Sequence, residues 1–260
     1  MIFQPLDAIP LPLLYLLIVL VLLAATESGY RLKRAMQREK TEEEGGGMDS
    51  MVAASLALLS FLLAFMIGVG HDLIRERRNV VIKEANAIGT TFLRAGYLQE
   101  PYGKEAQNLL RKYTETRMVT NKARKLTREK LQAAIARSEN IQNKLWADAE
   151  RVAREDPTPI TGLYVSSLNE LIDVHTERVT FGTRIRVPPA ILLGLFAMAI
   201  LTMFLVGSQT KGKRNFMAQF VLILAISVVC YLVVDLDRSL EGLIYATQQP
   251  MIDLQQQISP

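Results

Sequence analysis

MVAASLALLSFLLAFMIGVG, residues Met51–Gly70, is twenty consecutive residues without a charge. As a helix it spans about 30 Å, the thickness of a bilayer's hydrocarbon core. The text that follows, HDLIRERRNVVIKEANAIGTTFLRA (His71–Ala95), is rich in charge but offers no proline or turn cluster before Gly96. The spacing therefore predicts one helix from Met51 to Ala95, roughly 67 Å long, which leaves the membrane and continues for about 35 Å beyond it.

Three further windows repeat the first pattern. Ile9–Thr26 (IPLPLLYLLIVLVLLAAT) holds twelve Leu, Ile or Val residues. Near the centre of a span each contributes about −0.3 to −0.6 kcal/mol, so insertion gains about 4 to 7 kcal/mol. A cleaved signal peptide would carry basic residues before the apolar run. Here Arg31, Lys33 and Arg34 follow it, so a retained span is expected. Val187–Val206 and Phe216–Val234 complete the set, with Pro188 and Pro189 in the first turn of the former, where a missing N–H costs little.

Hydrophobic residues make up 50% of the 260, and charged residues are segregated between the four windows. A water-soluble globule mixes the two kinds within each helix. The segregation predicts an all-α membrane protein of four transmembrane helices, with lipid as its first partner. The expected organisation is a first span (9–26) with a basic loop in 1–50, a second span at 51–70, and a helical extramembrane domain at 71–186. A third and fourth span (187–206 and 216–234) fill 187–234, and a C-terminal tail occupies 235–260. The net charge of +4 matters through its placement. Without aromatic–basic interleaving it does not indicate nucleic acid. One cysteine, Cys230, and two histidines, His71 and His175, leave no metal-ligand spacing. No G-x-S-x-G, H-E-x-x-H or P-loop pattern occurs, so neither a cofactor nor an enzymatic activity is expected.

Four spans put both termini and the helical domain on one side. The short loops carry Arg31, Lys33, Arg34, Arg38 and Lys40, then Lys211, Lys213 and Arg214. Counted over short segments, these charges place the loops in the cytoplasm and the domain outside it. Glu42–Asp49 (EEEGGGMD) reads as a flexible connector. Within the domain, amphipathic helices are expected over 105–118, 121–155 and 160–183. Leu109, Leu110 and Tyr113, then Leu126, Leu131, Ile135, Leu145, Trp146, Ala149 and Val152, and then Leu163, Leu168, Leu171, Ile172, Val174 and Val179 are their core candidates. With the end of the second helix they would close a small bundle.

The second span carries Ala53, Ala57, Ser60, Ala64 and Gly68 within about 40° of one direction at 100° per residue. The face continues through His71, Arg75, Arg78, Ile82 and Gly89. One reading is close packing against another span. The other is a pore-lining stripe on a symmetry axis, with Arg75 and Arg78 as a basic mouth that favours anions. His71 with Asp72 admits a titrating pair or an interfacial cap-and-solvation role, and His175 with Asp173 and Arg178 admits a titrating group or a surface or inter-helix polar cluster. Glu84, Asn86 and Arg94 are polar residues on a helix with Val81, Ile88 and Phe92, and suggest an inter-helix polar network in which Glu84 pairs with Arg94 or Arg117.

Glu84-Ala85-Asn86-Ala87-Ile88-Gly89-Thr90, Leu93-Arg94 and Pro101-Tyr102 resemble the bacterial bestrophin-like domain family. So do Asp235-Leu236-Asp237-Arg238, Gly242 and Gln248-Gln249-Pro250-Met251. The resemblance covers nearly the whole chain. It implies a protein of the bacterial inner membrane related to bestrophins, which are pentameric anion channels with two spans, a helical domain and two more spans. It also implies a cytoplasmic domain, opposite to the short-loop charges. The functional expectation is a homo-oligomeric, anion-preferring ion channel with the second span near its axis. The alternative is a non-conducting scaffold or sensor that binds a partner through its helical domain.

Overall fold

The computed structural model describes residues 9–36, 46–122, 128–209, 215–238 and 246–259. Among them the chain is all α: α1 (Leu11–Met36), α2 (Gly46–Ala95), α3 (Tyr102–Lys122), α4 (Arg128–Glu155), α5 (Pro159–Thr183), α6 (Pro189–Ser208), α7 (Phe216–Asp237) and α8 (Gln249–Ile258). Four of these, α1, α2, α6 and α7, are long and apolar enough to cross a membrane.

Local chemistry sets the boundaries. Thr158 caps α5 by accepting from the Thr161 amide at 3.2 Å, and Pro159 opens the helix. Asn215 caps α7 through the Ala218 amide. Pro189 opens α6. α2 runs fifty residues and tightens at Gly96, whose amide bonds the Leu93 carbonyl.

Two boundaries differ from expectation. α1 continues through Glu27–Met36, assigned above to a loop, because Glu27 and Arg31 pair at i,i+4 and no breaker intervenes. Gly46–Asp49, expected as connector, is already helix. The remainder of that connector (Glu42–Gly45), the loop charges Arg38, Lys40, Lys211, Lys213 and Arg214, the core candidate Leu126, and Gly242 lie outside the described residues.

The chain divides into two compact units. The first comprises Ile2–Leu73 and Arg186–Arg238 and holds the apolar helices. Its core is Leu14, Ile18 and Leu22 of α1, Leu59, Leu63 and Met66 of α2, Leu192, Leu195, Ala199 and Met203 of α6, and Ile223, Ile226 and Cys230 of α7. α1 packs along α6 at the closest approach open to helices. A Cβ on Gly29 would collide with the Phe204 carbonyl, and one on Gly207 with the Thr26 carbonyl. Two glycines thus allow backbone to meet backbone, which lipid-embedded helices need because apolar burial drives little between them.

The second unit comprises Ile74–Ile185 and Ser239–Pro260. α3 packs on α4, α4 on α5, and α8 on α3. The core joins Val81, Ile88 and Ala95 of α2, Leu110 and Tyr113 of α3, Leu145 and Ala149 of α4, and Leu168 and Leu171 of α5. The C-terminal residues, expected as a tail, contribute Met251, Leu254 and Ile258 to this same core. α8 is amphipathic, with Pro250 in its first turn and its buried residues at i, i+3 and i+7.

Candidate functional site

α2 has two opposite faces. Leu59, Leu63, Met66 and Gly70 are buried. Ala57, Ser60, Ala64, Gly68 and His71 are exposed, and in the helical unit so are Arg75, Arg78, Ile82 and Asn86. Nothing lies within 4 Å of the position a Gly68 Cβ would take. The apolar window of α2 is 17% buried within the chain, against 33% for each of the other three spans. Among the described residues, the small-residue stripe therefore packs on no other span. Phe61 and Phe65 flank it, also exposed.

The second polar feature is buried. Glu84 is 0% exposed in the helical unit. Its Oε1 pairs with Arg117 Nε at 2.9 Å and accepts from the Tyr113 hydroxyl at 2.7 Å. Its Oε2 pairs with Arg178 Nη1. Arg178 Nη2 donates to Gln248 Oε1 at 2.7 Å, just before α8. Gln142 of α4 donates to the Tyr113 oxygen at 3.3 Å, and His175 Nδ1 lies 2.9 Å from the same oxygen. One carboxylate thus ties α2, α3, α4, α5 and the C-terminal segment together.

Burial alone would push the Glu84 carboxyl up. The charges of Arg117 and then Arg178, with the hydrogen bond from Arg178, outweigh it and hold the carboxyl well below the usual carboxylate range. Burial, with the neighbouring Glu84 charge, pushes the Tyr113 hydroxyl well up, so it stays a proton donor. Two guanidiniums facing one carboxylate satisfy the rule that buried charge must be paired.

The network expected at Glu84, Asn86 and Arg94 thus forms around Glu84 with other partners. Arg117 pairs with it. Asn86 is exposed, because two residues along a helix turn a side chain to the far side. Arg94 donates to the Leu163 carbonyl at 2.8 Å, ten residues and nearly three turns from Glu84. Tyr113 was expected only as a core residue, and His175 and Arg178 only as a separate polar cluster with Asp173; Gln142 and Gln248 were not singled out. Helical periodicity cannot tell a buried polar residue from an exposed one, and the only hint was the odd company of His175 and Arg178 on an otherwise apolar helix face.

Asp235-Leu236-Asp237-Arg238 closes one end of the apolar unit. Asp237 accepts from Arg186 at 2.8 Å and from the Val187 amide at 2.8 Å, and Arg238 donates to the Ile9 carbonyl at 2.8 Å. The end of α7 thereby clamps the starts of α1 and α6. Gly70 of α2 meets Leu236 at a distance that leaves no room for a Cβ. Among the described residues no group of His, Cys, Asp and Glu could hold a metal ion.

A model of the Bestrophin-like domain family matches residues 16–251. A search of the curated proteins finds no match. Solved structures align over almost the full chain. One single-substitution variant of a bacterial bestrophin homolog from Klebsiella pneumoniae has a TM-score of 0.62 at 16% identity, covering 94% of each chain. Another gives 0.62 at 16%, covering 95% of this chain and 96% of that one. The same homolog solved by Zn-SAD phasing gives 0.61 at 17%, covering 94% of each. At such identity the likeness is one of fold.

Proposed function

Because the chain belongs to the bestrophin-like domain family, we propose that it is a homo-oligomeric ion channel of the bacterial cytoplasmic membrane, anion-preferring, with α2 beside the symmetry axis. The observation that carries this reading is the uncovered small-residue face of α2. Ala57, Ser60, Ala64 and Gly68 offer lipid little to pack against, yet they are the residues that let helices, or a file of ions, come close. In a ring of copies, Arg75 and Arg78, exposed on the same face, form basic rings beyond the apolar window. Such a mouth concentrates anions in a salt-dependent way.

Reconstitution in liposomes tests it. Purified oligomer should pass chloride, and Gly68→Leu should cut that flux at least tenfold while the particle keeps its size. Charge reversal at Arg75 and Arg78 should lower the anion-to-cation preference. A folded oligomer that passes no ion overturns the reading.

The short-loop charges favour an extracytoplasmic helical domain, and Arg31, Lys33 and Arg34 at the end of α1 are the described part of that argument. Asn140 is exposed on α4. In a Cys230→Ser background, Asn140→Cys should react with an impermeant thiol reagent on intact cells. Reaction only after lysis reverses the orientation.

One observation favours the scaffold reading. Leu93 at the end of α2 and Tyr97 in the turn after it are 70% and 74% exposed, and Ile160 and Leu163 at the start of α5 are half exposed. Bulky apolar residues on the helical unit suit a protein partner. That reading expects a stable co-purifying protein and no flux.

A further inference from the structure

Two guanidiniums meet one carboxylate in the helical unit, and their charges do not balance. Glu84 is satisfied on both oxygens, by Arg117 with Tyr113 and by Arg178. Tyr113 stays a proton donor and brings no charge. Gln142 and Gln248 complete the cluster with uncharged amides. The cluster is therefore one negative charge short.

No neighbouring acid supplies it. Glu177, next to Arg178 in the chain, is taken by Lys83 at 3.1 Å. Asp173 on the same helix is exposed and accepts from Asn169 at 3.0 Å. The first turn of α8, which follows Gln248, has no acidic residue. Glu84 is the one carboxylate whose charge acts on either guanidinium.

The shortfall falls on Arg178. Burial lowers both guanidiniums, but the Glu84 charge more than restores Arg117, which ends above its ordinary value. For Arg178, burial and then the like charge of Arg117 outweigh Glu84, and it ends below. Arg178 is also the member that solvent reaches best: its side chain is 12% exposed, against 5% for Arg117 and 0% for Glu84. A guanidinium carries five N–H donors. Among the described residues Arg178 spends one on Glu84 and one on Gln248. Gln248 turns its oxygen to Arg178, so its amide nitrogen is left as a further donor beside the remaining ones.

We propose that a small monovalent inorganic anion, of which chloride is the type, binds Arg178 at its solvent-reached edge beside Gln248 and supplies the charge that the cluster lacks. Charge-assisted N–H donors define the site, so bromide serves as well as chloride. An edge so little exposed admits a single atom and excludes an anion as bulky as gluconate. Arg178 joins α5 to Glu84 of α2 and to the residue before α8, so neutralising it steadies that joint.

The site lies in the helical unit and its test needs no conduction, so it stands or falls apart from the channel reading. Full-length protein in phosphatidylcholine nanodiscs is compared in chloride and in gluconate at one ionic strength and one pH. A ligand that binds only the folded unit raises its protection by mass action. Chloride should raise amide protection along α5 and in Gln249–Ile258 at least threefold, and saturably, while α1 and α6 stay unchanged. Arg178→Gln balances the cluster, so its protection should be equal in the two salts. No rise in wild type, or the same rise in the variant, overturns the proposal. Protection gained from anionic lipid in gluconate, with none from chloride, overturns it too and assigns the donors to a lipid phosphate. Should the variant fail to fold, wild-type crystals grown in bromide decide alone. An anomalous peak must lie in contact with the Arg178 guanidinium, and its absence overturns the proposal.

Discussion

The two units of this chain solve the same problem, how to hold helices together, with opposite chemistry. Along its spans the apolar unit relies on shape, Gly29 against the Phe204 carbonyl, Gly207 against the Thr26 carbonyl and an apolar core around Leu22, Met203 and Ile223, and keeps its ionic pair, Arg186 with Asp237, at one end. The helical unit relies on burial and on one satisfied ionic cluster around Glu84. Lipid is as apolar as a leucine side chain, so helices inside it gain from close contact rather than from leaving the solvent. The other unit hides Leu110, Leu145 and Leu168 in a conventional hydrophobic core, whose stabilisation can offset the cost of placing three charges inside.

Substitutions sharpen the contrast, beginning with the largest effect. Glu84→Gln leaves two buried guanidiniums without their carboxylate and should destabilise the helical unit by about 3–5 kcal/mol. Exchange protection along α3 and α5 would report it, with protection of α1 and α6 retained. Unchanged protection would mean that the charges are less buried than they stand here. The pH dependence carries a definite sign. The folded carboxyl is depressed, so its contribution is complete above the unfolded value of about 4.3 and is lost as pH falls from there toward the lower folded value. The stability gap between wild type and Glu84→Gln should hold at pH 5 and narrow below about 4.

Gly207→Ala should cost about 1–3 kcal/mol, because the new methyl must push the α1 and α6 backbones apart. Thermal unfolding in detergent would show it, and a neutral result would break the claim that the apolar unit depends on backbone contact. The smallest effect is the most telling. Gly68→Ala adds the same methyl in open space, so the stability of the single chain should change within about ±0.5 kcal/mol. If flux or assembly responds while that stability does not, the α2 face works between copies and not within one.

Much of this was legible in the residues. The four apolar windows, the unbroken run from Met51 past Gly70 and the turn at Gly96 each rest on short-range chemistry that a sequence displays. The exposed stripe of α2 was legible as a periodicity, but its two readings differed only in what lies opposite, and periodicity says nothing of that. The Glu84 cluster was half legible. Arg117 was an available partner, whereas Arg178 lies 94 positions from Glu84 and Gln248 lies 70 positions from Arg178, and each pair meets only in the folded unit. The C-terminal helix looked like a tail, since ten residues cannot bury a face without a partner surface.

The amino-acid order by itself determined which stretches must avoid water and where the long helices run, because those outcomes depend on neighbours within a turn or two. Only the folded arrangement decided which carboxylate meets which arginine, which glycine touches a backbone and which stands in open space. Those contacts join residues far apart in the chain, and long-range proximity leaves no mark on local composition.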